Sequence, residues 1–394
     1  MLKVAEAIAR LRTSGSLLVG DEEIRLLDGL GRVLCDDAHA RVDVPPAANS
    51  AMDGYALRRG DWRSADQVIP VSQRIAAGHP PQALATGTAA RIFTGAEVPT
   101  GADVVVMQED CIADEAGVRI RELPEPGTNI RPRGQDLEAG QLMLPAGQRL
   151  RAQDLGLLAS QGIDSARVRK RLRVAVMSTG DELVEPGQPQ QRGRIFNSNR
   201  YTLHGLLRGW GFDVVDIGIA PDRADAIEWM VRDAAHSADV VVSSGGVSVG
   251  EEDHVKAVVE KLGALDLWRV AIRPGKPFAF GNVLGKPFLG LPGNPVSVFV
   301  TVLILGRPFL LTCQGARFNE PRASRQVADF NLPPESREVY LRARAGDQGL
   351  QLFASQSSGV LMSTSWGDGL VRQPAGQAIR AGDAVEFLPW SQFD

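Results

Sequence analysis

Between residues 171 and 310, short apolar runs alternate with stretches of helical periodicity, and this alternation constrains the fold more than any other feature of the chain. The runs LRVAVMS, FDVVDIGIA, ADVVVSSGG and KPFLGLPG are too continuously apolar for strands with one wet face. Helical spacing occupies 198–208, 222–236, 252–263 and 294–305. Strand–helix repetition of this kind predicts a parallel sheet covered by helices on both faces. Within it, PFAFGNVLGKPFLG predicts a hairpin turning around Asn282 to Gly285.

The flanks differ. MLKVAEAIARLR spaces Leu, Val, Ala and Ile as an amphipathic helix, and 151–162 predicts another. Residues 23–150 are rich in β-branched runs broken by Gly and Pro, with turns at EVPTGAD and PEPGTN. Beyond about residue 320, EVYLRARAGDQGLQLF and AIRAGDAVEFLPW alternate polar and apolar. A chain of 394 residues exceeds one ordinary core. The expected architecture is multidomain α/β and β. A discontinuous N-terminal domain takes 1–52 and 137–170, and a β-rich inserted domain takes 53–136. The central parallel-sheet α/β domain takes 171–320, and a small C-terminal β-barrel takes 321–394.

Net charge is −4, so no global basic field is available to hold nucleic acid, and any anion site must be local. The three cysteines, Cys35, Cys111 and Cys313, form no CxxC pair, which suits a reducing compartment. The charged N-terminus does not have the pattern of a signal peptide. The longest apolar run, 296–306, is shorter than a bilayer requires and is expected to be a buried helix. A cytoplasmic location without membrane contact is the expectation.

In open parallel sheets, ligands bind beyond the carboxyl ends of the strands. Three such ends carry Gly-containing polar loops: MSTGDE (177–182), SSGGVSVGEED (243–253) and LPGNPVS (291–297), the last containing Pro292, Gly293, Asn294 and Ser297. In the middle loop, Gly245, Gly246 and Gly250 free the backbone to turn N–H groups onto an anion, while Ser243, Ser244 and Ser248 add hydroxyls. Glu251 and Glu252 stand where a P-loop needs Lys and Ser or Thr, which argues against that class of ATPase. The loop after Met177 does not match GxGxxG either.

Carboxylates beside a phosphate-type loop make sense if a hard cation lies between them. Glu182, Asp222 and Asp253 each follow a predicted strand end, and Mg²⁺ prefers a few carboxylates plus water and phosphate oxygens. Each acid can equally serve as a helix cap. The five histidines are scattered, against a His-ligated transition metal. In WRVAIRPGKPFAFG, Arg269, Arg273 and Lys276 concentrate cations, and strand alternation puts 269, 271 and 273 on one face. An anionic substrate follows, although an isolated basic triplet is as readily a solvated strand edge.

Three N-terminal stretches also stand out: VPPAANSAMDGYAL with Asp53, RIFTGAEVPTGADVVV with Thr94, and TNIRPRGQDLEAG with Arg131, Arg133 and Asp136. Propensity alone makes each a surface turn. Taken in order with VAVMSTGDEL, SSGGVSVGEEDH, RPGKPFAFG and GLPGNPVS, they resemble the MoeA/gephyrin E-domain family, the molybdopterin molybdenumtransferases.

That resemblance implies an elongated four-domain homodimer that inserts molybdate into adenylylated molybdopterin, releasing AMP with Mg²⁺ or another divalent cation assisting. It implies catalytic roles for Asp53, Thr94, Asp136, Glu182 and Asp253, with Glu182, Asp222 and Asp253 at the metal. Ser244, Gly245, Gly246, Ser248, Gly250, Pro292, Gly293 and Asn294 would hold the adenylylated pterin. Arg273, Lys276, Ser297, Arg342 and Ser358 would receive molybdate. A molybdopterin adenylyltransferase upstream and molybdoenzyme maturation proteins downstream are the implied partners. Two other functions share the fold: a non-catalytic scaffold, which the acids Asp53, Glu182 and Asp253 argue against, and a free-standing pterin adenylyltransferase, which the flanking domains argue against. Where many relatives carry Lys, this chain has Arg269 and Arg273, exchanging a point donor for a planar fork.

Overall fold

The computed structural model describes residues 1–246 and 254–393. The chain forms two compact units: Met1–Asp36 with Ala146–Arg151 and Ser165–Asp394, and Asp37–Pro145 with Ala152–Asp164. The expected segment 53–136 falls inside the second unit, whereas the expected first segment is divided between the two. The division follows the hydrogen bonds: Asp21–Arg25 pairs antiparallel with Ser165–Arg169, which ties both ends of that stretch into the first unit.

In the first unit, the α/β part contains β1 (Arg173–Thr179), α1 (Ser198–Gly209), β2 (Asp213–Ala220), α2 (Ala224–Ser237), β3 (Val240–Ser244), α3 (His254–Leu262), β4 (Gly263–Arg269), β5 (Pro277–Val283), β6 (Lys286–Leu291) and α4 (Pro295–Gln314). The sheet order is β2-β1-β3-β6-β5-β4. β2, β1, β3 and β6 run parallel, and β5 and β4 close the sheet antiparallel. The sheet is therefore mixed rather than all parallel. The turn at Leu284-Gly285 supplies the hairpin, with both residues at positive φ.

Two helical layers fill the faces. Val174 and Val176 pack with Leu203, Leu207 and α4 on one side, whereas Ala175 and Met177 pack with α2 and α3 on the other. Both alternating sets are apolar, which explains the unbroken apolar runs. The N-terminal helix, Val4–Ser14, buries Val4, Ala7 and Leu11 in the first of these cores.

α4 is longer than its apolar run suggests. It spans 20 residues, long and apolar enough to cross a membrane by length and composition, but 89% of its most apolar 18-residue stretch is buried inside the protein. The expected stop near residue 305 fails because the helix passes through a π-turn at Val302–Gly306 just before Pro308. Proline has no N–H to return to the preceding turn, and a widened turn accommodates that loss.

Strand Glu338–Gly346 pairs with Gly369–Gln373, which pairs with Ala384–Pro389, which in turn pairs with Ser324–Val327. An Ala328–Leu350 bridge brings the last of these back to Gly349–Leu352, the remaining partner of the first, closing the expected small barrel. Val339, Leu341, Val371 and Phe387 fill it.

The second unit is built on a four-stranded sheet ordered 71–75, 89–92, 54–57 and 104–107. Tyr55, Leu57, Val104 and Val106 enter one core, whereas Ala56, Ala90, Ile92 and Val105 enter another. This period of two is what short β-branched runs dictate.

Candidate functional site

Because β1, β3 and β6 are adjacent and parallel, their carboxyl ends lie at one sheet edge. Ser178 is level with Ser244, and Ser244 with Leu291. The three loops meet there in a cleft of about 980 Å³, lined among others by Glu182, Asp222, Ser244, Gly245, Gly246, Arg273, Lys276, Pro292, Gly293, Asn294, Ser297 and Ser358. Asp222 follows β2, whose last residue Ala220 is level with Thr179. Ser248, Gly250 and Asp253 lie outside the described residues.

Of the expected amide nest, Gly245 and Gly246 are the glycines among the described residues. The Gly245 N–H donates to the Leu291 carbonyl at 3.1 Å, and the Ser244 hydroxyl lies 3.1 Å from that of Ser178. Gly245 and Gly246 permit close packing: a Cβ at Gly246, where φ is +67°, would stand 2.3 Å from Val255 Cγ2.

The chain leaves β4 at Arg269 and does not continue as one strand. Leu2 bridges Val270, and Ile272–Arg273 joins the barrel strand beginning at Glu338. Arg269 therefore ends a different sheet from Arg273, and the expected shared face does not form. Gly275, with φ +104°, packs against α4 so closely that a Cβ would meet Thr301 Oγ1 at 2.2 Å. This holds Lys276 beside the start of α4, where Ser297 is buried. The Val296 N–H, unpaired within its own helix turn, donates to the Ser358 carbonyl at 3.0 Å. Ser297 and Ser358 are thereby neighbours.

Arg342 does not take the expected place at the anion. It is fully buried, and its guanidinium donates to Ser363 Oγ at 3.0 Å, to the Tyr340 carbonyl at 3.2 Å and to the Ser357 carbonyl at 3.4 Å. Its main chain exchanges hydrogen bonds with the Gln356 amide at 2.9 and 3.0 Å. Arg342 thus positions the 356–358 loop from behind. Burial first, then the neighbouring Arg273 charge, lowers its pKa to about 10.

Sequence reasoning missed several lining residues: Asn197, Asn199, His254, Arg337 and Gln356. Asn197 caps α1 by accepting the Arg200 N–H, and Asn199 Nδ2 donates to the Gly293 carbonyl at 2.7 Å, tying α1 to the β6 loop. The NSN triplet, 197–199, at the start of a helical stretch was the available signal. Arg337 donates to the Ile272 carbonyl at 3.1 Å, and no local pattern marks it.

Glu182 and Asp222 have no ion-pair partner among the described residues, so their charge faces the cleft uncompensated by protein cations. Their oxygen-only chemistry fits a hard divalent cation. Among the described residues no group of three or more His, Cys, Asp or Glu side chains gathers. The described part of the chain thus supplies two carboxylates.

In the second unit, the three turn-like motifs come together. Asn49–Ser50 pairs with Ile130–Arg131, Gly95 N–H donates to Ser50, and Asp136 N–H donates to Val44 at 2.9 Å. Asp53 Oδ1 accepts the Thr94 N–H at 2.8 Å and the Thr94 hydroxyl at 2.7 Å. The Thr94 amide, followed by its hydroxyl, holds the Asp53 carboxyl below the usual carboxylate range. A carboxyl lowered in the folded state stabilises the turn above its unfolded pKa, and that contribution is lost as pH falls through the lower, folded value. The Thr94 amide resonance should accordingly titrate with a midpoint below about 3.9, the ordinary Asp value. A midpoint above it would contradict the pairing.

Loops gathered at the carboxyl edge of an α/β sheet, with cations and unpaired acids lining one cleft, define a binding domain for anionic ligands. Three family models match the chain in order: MoeA N-terminal region (domain I and II) over residues 2–162, probable molybdopterin binding domain over 175–312, and MoeA C-terminal region (domain IV) over 326–390. A molybdopterin molybdenumtransferase of Haemophilus influenzae is 40% identical over 84% of this chain and 83% of its own length. One from Nostoc is 38% identical over 91% and 86%. A crystal structure of a molybdopterin biosynthesis MoeA protein from Pyrococcus horikoshii superposes with a TM-score of 0.84 at 26% identity, covering 98% of this chain and 99% of that one. The chain belongs to the MoeA family, and it is a transferase.

Proposed function

We propose that this enzyme inserts molybdate into adenylylated molybdopterin and releases AMP, with Mg²⁺ assisting. The observation that carries this reading is the placement of Arg273 and Lys276 in the same cleft as Glu182 and Asp222. Molybdate is a dianion, and cations in a concave site raise its local concentration. Ser297 and Ser358, both lining the cleft at the start of α4, offer hydroxyls to its oxygens. Gly293 and Asn294, with α1 tied to them through Asn199, form the wall against which the pterin nucleotide lies. Glu182, Asp222 and Asp253 would hold Mg²⁺, which neutralises phosphoanhydride charge when bound. Asp53, Thr94 and Asp136 complete the proposed catalytic set, and a homodimer is part of the same proposal.

Reconstitution with adenylylated molybdopterin tests it. Expected is AMP release that requires Mg²⁺ and molybdate and matches cofactor formed one for one. AMP release indifferent to molybdate, or none at all, would refute the reading.

A further inference from the structure

The cations of the cleft are not equivalent. Arg273 Nη1 is ion-paired to the carboxylate of Glu335, whereas Lys276 and Arg337 have no carboxylate partner among the described residues. The side chains of the pair are 47% and 32% exposed, so both charges remain in contact with water and either can exchange partners. The main chain beneath Glu335 is fixed. Its carbonyl accepts the Gly376 N–H at 2.7 Å, and the Pro333 carbonyl accepts Gln373 Nε2 at 2.9 Å. Pro333 and Pro334 restrict the backbone further. The pair therefore opens by side-chain rotation, of Glu335 or of Arg273, and not by movement of the Glu335 main chain. Any oxyanion approaching Arg273 meets a negative group already seated there.

We propose that Glu335 is a built-in competitor for the oxyanion on Arg273 and so sets the affinity of the cationic end of the cleft. The proposal rests on the reading that this end receives a tetrahedral oxyanion. An anion gains the Arg273 fork only by displacing Glu335 or sharing the guanidinium with it, and like charges sharing one cation repel. Glu335 thus weakens retention of anions and makes Arg273 available in proportion to oxyanion concentration. Its role is in specificity and affinity; it does not touch the reacting atoms in this arrangement.

Calorimetric titration of the full-length protein with sodium molybdate at constant ionic strength tests this in four forms: the parent, Glu335→Gln, Arg273→Gln and the double variant. Glu335→Gln should lower the molybdate Kd by about fivefold, the scale of a half-exposed charge pair, and by less than about twofold in the Arg273→Gln background. An unchanged or higher Kd for Glu335→Gln, an equal gain in both backgrounds, or no molybdate binding by the parent and Glu335→Gln would each overturn the proposal. AMP release by the parent protein is measured separately. If it is absent while the two substitutions remain coupled, the functional reading fails and the competitor stands; if it is present without coupling, only the competitor fails.

Discussion

Replacing Glu182 by Gln is expected to lower the rate of AMP release by about a hundredfold, at the upper end for residues that hold or orient a metal, while leaving the fold intact. The carboxylate is exposed and folds back over Gly180, where Glu182 Oε2 lies 2.3 Å from the position a Cβ would take. It therefore depends on glycine at 180 for its place at the cleft, and it makes no ion pair that the substitution would break. Surface changes without such partners move stability by no more than about 0.5 kcal/mol. The Mg²⁺ concentration for half-maximal rate should rise together with the loss of rate. An unchanged rate and unchanged Mg²⁺ dependence would remove Glu182 from the metal.

The largest expected stability loss comes from Phe309→Ala. Phe309 is fully buried on α4, and its ring stands edge-on to Phe280 of β5 with centroids 5.2 Å apart. It belongs to the core that joins the sheet, the N-terminal helix and the base of the barrel. Truncating a buried aromatic removes transfer energy and leaves a cavity, about 3–5 kcal/mol in all. Guanidinium unfolding of the variant should show that loss with the denaturant slope nearly unchanged. A loss below about 1 kcal/mol would mean the core collapses around the gap.

Much of the α/β part was legible because strands buried on both faces read as unbroken apolar runs: Val174, Val176, Val240 and Val242 face one layer of helices, and Ala175, Met177 and Val241 the other. The meeting of three loops at one edge followed from strand parallelism alone. What local pattern could not give was long-range partnership. Arg269 and Arg273 seemed to share a strand until Leu2, from the far end of the sequence, paired between them. Arg342, placed at the oxyanion by the resemblance alone, lies in the part of its strand that is buried on both faces, so its guanidinium is spent on the protein's own carbonyls. The helical spacing of 294–305 stops short of the helix end, because a π-turn carries the helix on past Pro308. Motifs that propensity assigned to surface turns, around Asp53 and Thr94, acquire meaning only through the hydrogen bonds between them.

The central claim is that one cleft offers cations and serine hydroxyls to an oxyanion and also holds a pair of acids proposed to take a metal. A tungstate-soaked crystal, read at the tungsten absorption edge, tests it most directly. The account predicts one strong anomalous peak within contact of Arg273, Lys276 and Ser297. A peak elsewhere on the molecule, with this position blank at saturating tungstate, would contradict it.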